Sequence, residues 1–123
     1  MRTVFLRGDP DAGRFGPVRI AESGWQRMRG LLGRAPLRDG EGLLIVDCGS
    51  VHTVGMRHAI DVVFIDRQGH IARIVQALRP MRMARCGRAD RVLELAAGQA
   101  RALGLRAGLR LVASAPHPAE TDA

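Results

Sequence analysis

Lysine and tyrosine are absent from this 123-residue chain. All 19 basic residues are therefore arginine, and against 12 acidic residues they leave a formal net charge of +7. Aromatics are nearly missing as well, with only Phe5, Phe15, Trp25 and Phe64. The core must be aliphatic, and the π surface on which single-stranded bases stack is lacking. The arginines are scattered, apart from a dense run at Arg79, Arg82, Arg85, Arg88 and Arg91. An excess of Ala, Gly and Arg fits a GC-rich coding sequence, so the charge alone is weak evidence for a nucleic-acid partner, and none is expected. No apolar run approaches a membrane span, and MRTVFLRGDP is too short in apolar residues for a secretory signal. The expected location is the cytoplasm. There the two cysteines, Cys48 and Cys86, would stay reduced, and a structural disulfide is not expected.

What is present fits one domain, residues 1–113, followed by a proline-rich polar tail, 114–123, expected to be disordered. Seven short strands are predicted, at Thr3–Arg7, Pro17–Ala21, Leu43–Val46, Asp61–Asp66, His70–Leu78, Arg91–Leu95 and Leu109–Ala113. A helix is predicted from a Ser23 cap through Trp25, Met28, Leu31 and Leu32 to Gly33, and a shorter one around Ala100 and Leu103. Asp66-Arg67-Gln68-Gly69 reads as a hairpin turn, with a bulge in the strand that follows. Arg79–Ala89 reads as a solvated basic loop. Many short strands and few helices predict a mainly β (α+β) domain, a compact antiparallel sandwich or barrel-like body.

The richest stretch is Cys48–Asp66, CGSVHTVGMRHAIDVVFID. It places a thiol, two imidazoles, a thioether and an arginine on a loop directly before a strong strand, where a rigid scaffold can hold chemistry in place. Glu94, inside Val92-Leu93-Glu94-Leu95, is expected at the sheet rim or in a salt bridge with an arginine.

Three segments resemble one small bacterial and archaeal family. Arg29–Arg34 is similar to its RGLMGR helix end. Val51–Asp66 is similar to its loop methionine followed by an IDVVFID strand, and Val92–Gly98 with Leu103–Leu105 to its VLELPAG…LGL segment. On these motifs the chain is identified as resembling domain of unknown function 192 (DUF192), also called the UPF0127 family. The resemblance spans residues 18–113. It implies a compact, antiparallel β domain and no established enzyme activity. The chain departs from many relatives at Ala97 (often Pro), at Leu109 (an acid after the glycine) and at Gly55 (an aromatic before the methionine).

The chemistry of the loops leaves several readings. The leading one is a small non-enzymatic accessory or binding module using loops 47–58 and 79–90. Its candidate residues are Cys48, His52, Thr53, Met56, Arg57, Asp61, Arg82 and Cys86. It needs no cofactor, and its partner would be a protein, a peptide or a small anionic ligand drawn by the basic loop. Asp61 is expected to hydrogen-bond loop backbone or to pair with Arg57. The second reading is a soft-metal site for Cu(I) or Zn on Cys48, His52 and Cys86, provided the two loops converge. The third is a thiol-dependent enzyme with Cys48 or Cys86 activated by His52. A blue-copper site is excluded, because no histidine precedes His52.

Overall fold

In the computed structural model, which describes residues 2–29 and 36–114, the chain order is β1 (Arg2–Asp9), β2 (Arg14–Ala21), α1 (Gly24–Arg29), β3 (Gly42–Val46), β4 (Ser50–His52), β5 (Ile60–Ile65), β6 (Ile71–Leu78), β7 (Met83–Arg85), β8 (Arg91–Ala96), α2 (Gln99–Ala102) and β9 (Arg110–Ser114). Seven strands form one sheet in the order β6-β5-β8-β3-β2-β1-β9, and β4 and β7 form a separate ribbon. Only β2 and β3 run parallel; the other pairs are antiparallel.

The unbroken apolar run of β5 has a direct cause. It lies between β6 and β8 and is buried at all six positions, so neither face is free to carry the usual polar alternation. One face, with Val63 and Ile65, joins Leu93 and Leu95 of β8, Val18 of β2 and Leu111 of β9 in the main core. Ala100 of α2 and Leu105 beyond it plug one end of this core. The other face, with Ile60, Val62 and Phe64, packs beneath Val51 and Ala84 of the ribbon.

The sheet curls into a half-barrel until its terminal strands touch. Ile71 N–H donates to Leu109 O, Gly108 N–H to Ile71 O and Leu111 N–H to Gly69 O, each at 2.8 Å. This closure protects backbone that an open edge strand would leave unpaired. It also demands glycine at position 69, where φ is +88° and a Cβ would lie 3.2 Å from Leu111 O. Beyond Ile71 the β6 edge and the turn before it are covered by arginines that donate to carbonyls. Arg73 Nη1 reaches Arg85 O at 2.7 Å and Arg88 Nη2 reaches Ala72 O at 3.3 Å. Arg91 Nη2 bridges Asp66 O and Arg67 O, both at 3.1 Å.

All seven predicted strands are present, and the 66–69 hairpin forms with Gly69 N–H on Asp66 O at 3.0 Å. The register shifts twice between β5 and β6, which is the expected bulging. Ser23 caps α1: Gln26 N–H donates to Ser23 Oγ at 3.0 Å, and Ser23 N–H donates back to Gln26 Oε1 at 3.2 Å, a reciprocal capping box. The predicted continuation through Leu31, Leu32 and Gly33, and the tail from 115 onward, lie outside the described residues. Most strand boundaries move by a residue or two; β2 starts three residues earlier, at Arg14, and Ser114, expected in the tail, belongs to β9. The larger correction is that the basic loop contains a strand, β7, paired with another unpredicted strand, β4.

Candidate functional site

The β4–β7 ribbon brings the two candidate loops together. Ser50 pairs with Arg85, Val51 with Ala84 and His52 with Met83. Side chains alternate across a strand, so Val51 and Ala84 point to the sheet while Ser50, His52, Met83 and Arg85 face outward and are exposed. Cys86 N–H on Gly49 O, at 2.9 Å, extends the ribbon at one end.

Thr53 clamps the other end and is fully buried. Its N–H donates to Arg82 O at 2.8 Å, and its Oγ1 donates to Arg79 O at 2.6 Å while accepting Arg82 N–H at 2.8 Å. Its carbonyl accepts Met56 N–H at 3.1 Å and Met81 N–H at 3.2 Å. This hydroxyl is buried and both donates and accepts within the chain, so Thr53 acts as a positioning residue.

Asp61 is likewise structural. It is fully buried, with Oδ1 accepting Ala77 N–H and Oδ2 accepting Ala100 N–H, each at 2.9 Å. One carboxylate thereby pins the β6 bulge, where Ala77 has φ +50°, to the start of α2. The expected pairing with Arg57 is not made: the carboxylate lies fully buried on backbone amides. Arg57 is exposed and makes no ion pair among the described residues.

Cys48 and Cys86 are free and half-buried against the apolar layer beneath the ribbon, as is Met56. The Cys48 thiol donates to Ser50 O at 2.9 Å. His52 points to the opposite side of the ribbon, and no hydrogen bond joins it to either thiol. Among the described residues, no three His, Cys, Asp or Glu side chains gather closely enough to hold a metal. Of the eight candidates, His52, Arg57 and Arg82 are therefore exposed on the loops, and the other five are wholly or partly buried.

Two features escaped the sequence reading. First, the large exposed hydrophobics among the described residues are Val54 at 49 %, Met81 at 65 % and Met83 at 72 %, all at or beside the ribbon tip. Second, Glu94 is neither at the rim nor salt-bridged. It sits mid-sheet on β8, in register with Val62 of β5 and Leu43 of β3. It is 5 % exposed, and its Oε2 has no hydrogen-bond partner. Desolvation by these apolar walls pushes its carboxyl up to about 7. The sequence signal was an acid enclosed by apolar residues on both sides. Reading it required the strand order.

A curled, mainly β half-barrel with a clamped outer ribbon defines a small single-sheet domain. The chain belongs to the DUF192 family, described as an uncharacterized ACR, whose model matches residues 8–113. The fold is similar to the crystal structure of a protein of unknown function from Novosphingobium aromaticivorans DSM 12444, with 21 % identity, a TM-score of 0.80, and 89 % of this chain and 84 % of that chain covered. It is also similar to a proposed transcription regulator from Sinorhizobium meliloti 1021, with 23 % identity, a TM-score of 0.75, and 89 % and 91 % of the two chains covered. No curated protein matches the chain. No helix among the described residues is long and apolar enough to cross a membrane.

Proposed function

We propose that the protein is a small binding module whose partner-facing surface is the β4–β7 ribbon with loops 47–58 and 79–90. One observation carries this: Val54, Met81 and Met83 stand exposed on a segment that is otherwise tightly hydrogen-bonded. A rigid backbone lowers the entropy cost of binding, and exposed methionines adapt to varied apolar surfaces. Arg57, Arg79, Arg82 and Arg85 lie on the same two loops and the ribbon, exposed and without acidic partners among the described residues. Apolar anchors within a basic rim suit an acidic polypeptide segment that carries apolar side chains. A nucleic-acid partner would use the arginines but leave the methionines without a role. That is the reason for favouring a protein partner, although one structural neighbour is described as a proposed transcription regulator.

Fluorescent peptides provide the test. A peptide of alternating Glu and Leu is expected to bind more tightly than an all-Glu peptide of equal charge. Met83→Ser and Arg82→Ala are each expected to weaken it about fivefold, near 1 kcal/mol. Equal binding of both peptides, or tighter binding of duplex DNA that Met83→Ser leaves unchanged, would remove the apolar tip from the recognition surface.

A further inference from the structure

The outer face of the sheet carries two apolar clusters that stay separate. One contains Ile60, Val62, Phe64 and Val92 beneath the ribbon; the other contains Ala21, Leu43 and Ile45. Glu94 stands in register between a member of each, Val62 on one side and Leu43 on the other. Cys48 packs against both clusters, which places a thiol along the same seam but toward the Asp90 end of β8, where its N–H donates to Asp90 O. Paired strands lie about 4.8 Å apart, so the Glu94 stem is walled by two fully buried aliphatic side chains.

A carboxyl in that setting is a liability for stability. Burying one of its oxygens without a partner is unfavourable, and a leucine or valine at the same position would avoid the penalty. No described residue relieves it. Val62, Phe64, Leu43 and Ile45 offer no donor side chains, and Arg19, next in the row beyond Leu43, makes no bond to it. Asp61, the other buried acid, faces the main core and is fully satisfied. None of the described residues thus serves this oxygen, which leaves its place open to a donor brought by a ligand.

We propose that Glu94 and the Cys48 thiol mark a small-molecule site on the outer face of the sheet, taking a small apolar ligand that presents an N–H donor, an amine or an amide, to the carboxyl. An ionised carboxylate only accepts hydrogen bonds, so a donor ligand selects that form and an acidic ligand is repelled. The walls are aliphatic apart from the thiol, which calls for an apolar body behind the donor. This site does not depend on the ribbon tip, because His52 and Met83 project from the opposite side of the ribbon.

The experiment titrates ¹³C-labelled protein with butylammonium chloride, butyramide or sodium butyrate. It follows the Glu94 carboxyl carbon by NMR and the alkylation rate of Cys48 in a Cys86→Ser background. Butylammonium, butyramide or both are expected to shift the carboxyl signal, and to slow alkylation about threefold at a concentration near twice the Kd. Butyrate is expected to do neither. Glu94→Leu is expected to fold and to lose both responses, with Glu94→Met as a second variant of different shape. No response to either donor, an equal response to butyrate, or a response that survives in the folded Leu or Met variant would overturn the proposal.

Discussion

Glu94 and Asp61 are both buried acids on central strands, and their surroundings separate them. Asp61 accepts two backbone N–H groups and holds two elements together, whereas Glu94 has an oxygen with no partner. For Glu94 the folded protein holds the proton up to about pH 7, while the unfolded chain releases it near the ordinary value of 4.5. The folded state thus binds more protons across that window, so its stability falls as pH rises through it and levels off above. The shift corresponds to roughly 3 kcal/mol as an order of magnitude. Urea unfolding of wild type and Glu94→Gln at pH 4.5 and pH 7.5 isolates the effect. Wild type is expected to lose stability relative to the variant by about that amount, and a constant difference would place the carboxyl in water.

The ribbon shows at the scale of elements why some structure was legible and some was not. Strand β5, the 66–69 hairpin and the Ser23 cap were legible because each is specified by a few adjacent residues. Strands β4 and β7 span three residues each, too few for a period-2 pattern to stand out from a polar loop. They exist because a buried threonine and an inward Val51–Ala84 pair bring them together across the chain. Asp61 was rightly read as a backbone acceptor, but its partners lie 16 and 39 residues away, and sequence proximity pointed to Arg57 instead. The ribbon also has a weak point at Gly49, where a Cβ would lie 2.9 Å from Ala89 O and 3.2 Å from Cys86 O. Gly49→Ala is expected to cost about 1–3 kcal/mol. It should speed hydrogen exchange at the Cys86 and Cys48 amides, which bond Gly49 O and Asp90 O. The Thr53 amide at the clamped end should keep its protection, so uniform loss would mean the ribbon opens as one unit.

For the whole molecule, the sequence motifs led to the family and the fold class, while the strand order, and with it the position of Glu94, emerged only from the structure. The net charge of +7 can also be reconsidered. The ion pairs Arg2–Glu22, Arg7–Asp9 and Arg106–Asp11 are exposed and contribute little. A second set of guanidinium bonds between elements ends on carbonyls: Arg73 on Arg85, Arg88 on Ala72, and Arg91 on Asp66 and Arg67. A planar group with several donors can bridge two carbonyls, as Arg91 does, in a way that a single ammonium does not reproduce. Such contacts act at short range and are not lost when mobile ions screen distant charges, whereas the mutual repulsion of an excess of cations is relieved. Raising the ionic strength from about 10 mM to about 150 mM is therefore expected to hold or raise the melting temperature; a fall would assign the exposed ion pairs a larger share. Arginine thus serves this domain partly as mortar between its elements, set where mobile ions do not loosen it.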